Sequence, residues 1–281
     1  MSDNKNKFSV IDINSDRLID VLEEPTLNIL NPVSKALAEI VLGALANPVH
    51  RSRIKRVALK KELEKFINSY ENEIKTIPNE NLSVPKPYVA IPIIECISYV
   101  YDNESIHNMF VKLLAKASNI ETNELVHPSY IELIKNLSPM DAEVLNYIFK
   151  EEDNFAPICD IRDDKNILAN STRLQFNQIF LELMDESNFE KFEPEVFERV
   201  FQYSSSIDNL TRLGLLKFPQ NASFEDVNSY KKYEDYAKVC FERLKLENFQ
   251  LSLEIGEFML EKQCVTLTHF GKNFAIVVLQ S

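Results

Sequence analysis

A run of six cations is the group of side chains in this chain with the clearest potential for chemistry. It stands at the start of a predicted helix that opens at Asn47-Pro48, where the helix dipole favours acids and each cation costs roughly a few tenths of a kcal/mol. Anion binding is the chemistry it suggests, to a nucleic acid, an anionic lipid or an acidic protein; the alternative is a solvated face paired with the acidic C-terminal half. The cluster consists of Arg51, Arg53, Lys55, Arg56, Lys60 and Lys61.

Asn209 and Arg212 are a second pair whose types suggest recognition, because they lie on the predicted helix that enters a DNA groove in winged-helix proteins. Charge argues against that role. Residues 138–281 carry 15 Lys and Arg against 25 Asp and Glu, whereas residues 1–137 carry 16 against 18. Since phosphate neutralisation supplies much of the affinity for nucleic acid, the acidic half disfavours DNA and favours a packing role for both residues.

Motifs for catalysis or for cofactor binding are missing from the sequence. The chain has four glycines and neither a G-x-G-x-x-G nor a Walker pattern, and its four histidines show no metal-ligand spacing. Cys96, beside Glu95 in an apolar helical run, is a candidate nucleophile, but buried thiols are usually inert. We therefore expect no catalytic residue, no cofactor and no metal, and a protein that is not an enzyme.

The cysteines and the N-terminus indicate where the protein works. Four widely spaced cysteines and a polar start without a secretion signal predict a reduced, cytoplasmic protein. The apolar segment Val33–Ala46 is shorter than the 20 residues or so that span a bilayer. Followed by the basic cluster, it would suit peripheral contact with a membrane surface, although a buried core helix is the favoured interpretation.

Apolar periodicity predicts a mainly α-helical protein, with a loosely ordered segment at 1–25 and a helical domain at 26–137. Leu113 lies in the third apolar stripe of this domain, so we expect it to be fully buried. The helices predicted in this domain after the apolar segment Val33–Ala46 cover Asn47–Ile77, Tyr88–Tyr101, Ile106–Ala117 and His127–Leu137.

A second domain is predicted at 138–281, because Ser138, Pro139 and Asp141 supply a helix cap, a first-turn proline and an N-terminal acid in succession. We expect Leu213, near the end of its fourth helix, to be fully buried. The helices predicted in this domain before its last one cover Asp141–Lys150, Ser171–Met184, Pro194–Tyr203, Ser206–Gly214 and Ser229–Glu247.

Two short stretches predict a β-arm in this domain. The helix that stops at Gly214 leads into a strand at Leu215–Phe218, and a second strand at Val265–Thr268 pairs with it in one small sheet. Thr268 caps a last helix that carries Phe270, Phe274 and Val277 on one face. The order helix, strand, excursion, strand, helix is winged-helix-like, with an elaborated wing that includes a further strand at Phe249–Ile255.

The order of these motifs resembles the abortive infection alpha (Abi-alpha) family of bacterial phage-defence proteins. The resemblance covers most of residues 30–278 in family order. The stretches that carry it are Ala90–Tyr99, Asn103-Glu104, Met109–Ala115, His127–Ala142, Asp208–Leu216 and Leu267–Phe274.

The resemblance implies a helical N-terminal region, a winged-helix-like C-terminal region and a role in defence against phage. It supplies no catalytic residues, and the chain departs from the family pattern in its long excursion between Phe218 and Val265 and in His269-Phe270. We expect a non-enzymatic interaction or effector protein with a protein partner or a second copy of itself. The alternatives are a DNA-binding regulator and a membrane-surface effector.

Overall fold

The computed structural model describes residues 32–33, 36–37, 40, 60–100, 103–163, 174–177, 194–220, 223, 230–231, 234, 238 and 258–280. Its contacts divide the chain into two compact units, with the border between Lys135 and Asn136. The protein is mainly helical with a small antiparallel sheet. The predicted segment 1–25, most of Val33–Ala46 and the predicted strand Phe249–Ile255 lie outside the described residues.

In its described residues, the N-terminal unit contains four labelled helices, of which the second, third and fourth begin near a predicted start. Asn103 caps the third, with its side chain accepting a hydrogen bond from the Ile106 amide. Before them, Val33 and Leu37 are helical and buried. The helices are α1 (Lys60–Ile74), α2 (Pro87–Val100), α3 (Glu104–Ala117) and α4 (Ser129–Lys135).

The apolar stripes of these helices form the core of the unit, as their spacing predicts. Helix α1 contributes Phe66, Tyr70 and Ile74, each 0 % exposed, and α1 packs on α2 and α3. Leu113 is also 0 % exposed, which confirms its predicted burial. Helix α1 ends at Ile74 rather than Ile77, because the chain turns there through a backbone hydrogen bond from the Ile77 amide to the Ile74 carbonyl.

In its described residues, the C-terminal unit combines three labelled helices with four strands, of which two include predicted strand residues. Helix α6 packs on α5, β2 and β3, and α7 packs on α5 and β4. The elements are α5 (Pro139–Lys150), β1 (Phe155–Asp163), β2 (Leu174–Asn177), α6 (Pro194–Arg212), β3 (Leu216–Lys217), β4 (Phe258–Leu267) and α7 (His269–Leu279).

The sheet has the strand order β2-β1-β4-β3, and each neighbouring pair is antiparallel. Leu216 pairs with Leu267 and Lys217 with Thr266, which confirms the predicted pairing of the two arm strands. Strand β1 was not predicted. It pairs with β4 along its whole length, from Phe155 opposite Thr266 to Asp163 opposite Phe258, so the sheet depends on a contact between distant segments.

Four local predictions in this unit were wrong, one of them the full burial of Leu213, which is only partly buried. Residues Leu174–Asn177, inside the predicted helix Ser171–Met184, form a strand because their backbone pairs with β1. The predicted helices Pro194–Tyr203 and Ser206–Gly214 are one continuous helix, α6, since the serines at 204–206 extend it rather than cap a new one. Phe270 is 38 % exposed and therefore does not share the buried face of Phe274 and Val277.

Part of the excursion between β3 and β4 is helical at Tyr230, Lys231, Glu234 and Lys238, as predicted for those positions. The buried Tyr230 donates a hydrogen bond from its hydroxyl to the Gln263 carbonyl, at 2.8 Å. Lys262 Nζ lies 2.7 Å from Glu234 Oε1 and 5.4 Å from the Tyr230 ring centroid. These contacts fix the helical segment against β4.

Candidate functional site

The predicted anion-binding cluster is only partly within the described chain. Lys60 and Lys61 form the first two residues of α1. The other four members, Arg51, Arg53, Lys55 and Arg56, lie outside the described residues. The cluster therefore stays a prediction from sequence, and the described geometry concerns the other candidate pair, Asn209 and Arg212.

The start of α5 supplies the frame for that pair. Ser138 caps the helix, with its Oγ accepting a hydrogen bond from the Asp141 amide at 3.1 Å. Asp141 returns the contact, because its Oδ2 accepts from the Ser138 amide at 2.7 Å. This reciprocal capping box confirms the predicted helix start and holds the carboxylate of Asp141 at the N-terminus of α5, where the dipole favours an anion.

Asn209, on α6, binds this cap. Its Nδ2 donates to Asp141 Oδ2 at 2.9 Å and to the Asn136 carbonyl at 3.1 Å. Its Oδ1 accepts from Arg212, at 3.2 Å from Nε and 2.7 Å from Nη2. Both amide hydrogens and the amide oxygen of Asn209 are thus used within the unit, in a chain of contacts that runs from the buried Asp141 to the exposed Arg212.

A groove of about 700 Å³ lies beside this chain of contacts, between the start of α5 and one face of α6. We call it the α5–α6 groove. Gln202 and Ser205 are exposed at its side, whereas Ser206 and Asp141 are 4 % and 3 % exposed. The lining residues are Ser138, Pro139, Met140, Asp141, Gln202, Ser205, Ser206 and Asn209.

The end of α6 is joined to the start of α7 by a second set of contacts. Gly214 has φ of +73°, and the Leu215 amide donates to the Leu210 carbonyl at 2.9 Å, the helix-ending arrangement that its glycine predicted. Thr268 Oγ1 donates to the Gly214 carbonyl at 2.6 Å and accepts from the Gly271 amide at 2.8 Å. The two stretches singled out in the sequence are therefore bound directly to each other. We call this the 214–271 junction.

Gly271 makes the close approach at this junction. A Cβ at that position would stand 2.0 Å from the Leu215 carbonyl oxygen, which itself accepts a hydrogen bond from the Thr268 amide at 2.9 Å. Only a residue without a side chain fits between α7 and that carbonyl.

Leu213, which precedes Gly214, is only partly buried, so the prediction that it is fully buried was wrong. Leu210 and Leu215 are the buried leucines, because they face the core on either side of the turn.

The buried thiols of Cys96 and Cys264 are in surroundings that disfavour the reactive thiolate form. Burial raises the pKa of Cys96 to about 11, and it raises the pKa of the Cys264 thiol as well, so both stay protonated near neutral pH. Burial lowers the pKa of His107, whose Nε2 lies 3.4 Å from Ser69 Oγ. Within the described part of the chain, no group of three or more His, Cys, Asp or Glu side chains could hold a metal ion.

Sequence reasoning found the members of the Asp141–Asn209 contact but not the contact itself. Asp141 was identified as a helix-start acid and Asn209 as a candidate recognition residue, yet 68 residues separate them. Ser206 and Gln202, which line the groove, were not identified as residues of a site with Asn209. Their spacing from Asn209 by three and seven residues places them on one side of a helix, a signal that becomes visible once α6 is known to be continuous.

A family model described as abortive infection alpha matches residues 58–278 of the chain. The match covers both units and includes the α5–α6 groove and the 214–271 junction. Searches of the curated proteins and of the solved structures find no match to the chain. In the described part of the chain, no helix combines the length and the apolarity needed to cross a bilayer.

Proposed function

Because the chain belongs to the abortive infection alpha family, we propose that it acts in the bacterial cytoplasm as a non-enzymatic effector of defence against phage. The family match over residues 58–278 is the observation that carries this proposal. Membership points to a role in abortive infection. That the effector works by binding a protein partner, rather than by catalysis, is our own addition.

Two properties of the described residues support an interaction protein. The thiols of Cys96 and Cys264 are buried with raised pKa values, and the carboxylate of Asp141 is engaged in a helix cap. The groove beside Asp141, by contrast, is open to solvent and has a mainly apolar wall that includes Pro139 and Met140, with serine and amide side chains beside them. A surface of that kind is suited to binding, and it lacks a group with an evident catalytic task.

The segment from α6 to α7 is the part that we propose as the interaction module, in a winged-helix-like arrangement. The order of α6, β3, β4 and α7 along the chain supports this assignment. The basic cluster around Lys60 remains a second candidate surface, for an acidic partner. Use of Asn209 for DNA readout would require its contacts with Asp141 and Arg212 to break, and we therefore do not favour it.

The defence role is tested by expressing the full chain in a bacterial host and infecting the culture with a panel of phages. We expect fewer plaques than in cells with an empty vector. We also expect cultures to survive at a low ratio of phage to cells and to collapse at a high ratio, because abortive infection sacrifices the infected cell. Equal plaque numbers with and without the protein, over the whole panel, would contradict the proposal.

The non-enzymatic mode is tested with variants of the buried groups. Cys96→Ala and His107→Gln should retain protection, provided that circular dichroism shows each variant folded at the growth temperature. Gly271→Ala is the matched negative control, since its added methyl group disrupts the 214–271 junction. Loss of protection in a folded Cys96→Ala variant would show that the thiol has a chemical task.

A further inference from the structure

The packing of α1 against α3 in the N-terminal unit encloses a histidine, His107. It lies near the start of α3 and is 2 % exposed. Its ring faces the first half of α1, where the centroid of the Phe66 ring lies 5.5 Å away at an interplanar angle of 75°. Ser69 Oγ, on the same helix, lies 3.4 Å from Nε2. The imidazole is therefore part of the contact between two helices, so its charge state bears on that contact.

The surroundings of His107 offer little to a positive charge. Among the described residues, its ring has one hydrogen-bond contact, with Ser69, and at 3.4 Å this contact is weak. Phe66, the other neighbour of the ring on α1, is apolar and 0 % exposed. A protonated imidazole carries a charge and two N–H donors, and burying a charge without a close partner of opposite sign is costly. A proton on His107 therefore draws water to the ring at the expense of the contact between α1 and α3.

The charged groups around His107 do not offset its burial. Burial lowers the pKa of His107 below its ordinary value of 6.5, and Lys65 on α1 lowers the pKa further. Glu104, three residues earlier on α3, acts in the opposite direction and is the smallest of the three influences. The charged groups of α2 and α4 act on Cys96 instead, and these are Glu95, Glu132 and Lys135.

We propose that His107 is a pH-sensitive latch, which holds the first half of α1 on α3 while its ring is neutral and releases it when the ring takes up a proton. The second half of α1 stays attached, because Tyr70 is 0 % exposed and its hydroxyl is bonded to Ser118. Helix α1 begins with Lys60 and Lys61 of the basic cluster, so the latch makes the position of this candidate surface depend on pH. The inference concerns the N-terminal unit and does not rest on the proposed interaction module.

The direction of the pH dependence follows from the lowered pKa of His107. Release of α1 exposes the ring to water, and its pKa then returns towards 6.5, so the released form binds a proton that the closed form does not. The latch is therefore fully closed above pH 6.5 and opens as the pH falls below this value. The population of the released form rises by up to about tenfold for each pH unit, until the pKa of the closed form is reached.

Hydrogen–deuterium exchange of the purified full chain, resolved by peptide and followed by mass spectrometry, measures this release. The pH is varied from about 7.5 to about 5, and rates are corrected for the intrinsic pH dependence of amide exchange. We expect the amides of α1 that precede Tyr70 to lose protection below pH 6.5, by up to about tenfold for each pH unit. The amides of α2 should keep their protection, because the core of the unit stays formed.

Three variants assign the response to His107. His107→Gln keeps a side chain that can bond to Ser69 but takes up no proton, and it should abolish the loss of protection in acid. His107→Phe places an apolar ring beside Phe66 and should do the same, so it serves as a second test if the Gln variant folds poorly. His269→Gln, at an exposed position at the start of α7, is the matched control and should respond to acid as the wild type does.

The proposal is overturned if the corrected exchange of α1 does not change with pH, or if a folded His107→Gln or His107→Phe protein responds to acid as the wild type does. It is also overturned if α2 loses protection together with α1, because that result would indicate acid unfolding of the whole unit. The comparison of α1 with α2 needs the wild-type protein alone, so it decides the question even where a variant does not fold.

Discussion

Two networks of polar contacts, one in each unit of this protein, end in opposite ways. In the N-terminal unit, the Tyr70 hydroxyl lies 2.7 Å from Ser118 Oγ, which donates to the Leu114 carbonyl at 2.8 Å, so the polar contacts close on themselves inside the core. In the C-terminal unit, the contacts that start at Asp141 end at an exposed arginine beside an open groove. The first arrangement stabilises a core, and the second leaves polar atoms at an open groove.

The units also differ in how far apart in sequence their contacts are. The four helices of the N-terminal unit follow one another within Lys60–Lys135 and pack with near neighbours. The C-terminal unit depends on pairing of β1 with β4 and on the bond from Thr268 to Gly214, which spans 54 residues. Single substitutions at the 214–271 junction should therefore affect a whole unit, whereas a core substitution in the N-terminal unit acts through local packing.

Gly271→Ala is the substitution with the largest expected effect. Its Cβ would lie 2.0 Å from the Leu215 carbonyl oxygen, and that backbone is held by the Thr268 amide, so α7 must move away from β3. We expect a loss of more than about 4 kcal/mol in the free energy of unfolding of the C-terminal unit. Chemical denaturation followed by circular dichroism measures it.

Gly214→Ala is the control that separates close approach from backbone conformation. No atom lies within 4 Å of a Cβ at this position, but φ is +73°, so the strain is conformational only. A cost of about 1–2 kcal/mol is expected for a non-glycine residue in this region. If the two glycine variants were equally unstable, steric exclusion at Gly271 would not be what joins α6 to α7.

Leu113→Ala should have the next largest effect, in the other unit. Leu113 is 0 % exposed, so removing its side chain leaves a cavity and should cost about 2–5 kcal/mol. Leu213→Ala is the matched leucine in the C-terminal unit and should cost clearly less, because Leu213 is only partly buried. Denaturant midpoints compare the two, and an equal loss would mean that the partial exposure of Leu213 does not reduce its packing energy.

The sequence predicted the helices well because their information is local. Stripes spaced by three and four residues gave the helical core, and the cap residues Ser138 and Thr268 marked starts that the structure confirms. The strands were harder. Leu174–Asn177 has helical spacing in its surroundings but pairs with β1, and β1 itself is defined by a partner about a hundred residues away.

The candidate site was predicted in its parts and missed as a whole. Asp141 and Asn209 were singled out for separate reasons, and only the folded unit brings their side chains to 2.9 Å. Ser206 marked a predicted helix start, and its place in the groove beside Asn209 becomes visible only once α6 is known to be continuous. The apparent break at residues 204–206 also hid the continuity of α6, which places Gln202, Ser206 and Asn209 on one side of the helix.

Tyr70→Phe should have the smallest effect and tests whether the polar contacts of the N-terminal unit are purely structural. Near neutral pH the variant loses one buried hydrogen bond and should be less stable by about 0.5–1.5 kcal/mol. Burial raises the pKa of Tyr70 to about 12 from 10.0, so the unfolded protein ionises first as the pH rises. The stability that depends on a neutral Tyr70 is therefore complete below pH 10 and is lost between about pH 10 and 12.

The variant keeps every other tyrosine, so the difference between it and the wild type isolates Tyr70. We expect the stability advantage of the wild type to shrink above pH 10 and to reverse towards pH 12, in denaturant titrations at constant ionic strength. A difference that stays constant over this range would mean that the Tyr70 hydroxyl reaches solvent in the folded protein. The contact with Ser118 would then be open like the α5–α6 groove, and the contrast between the two units would fail.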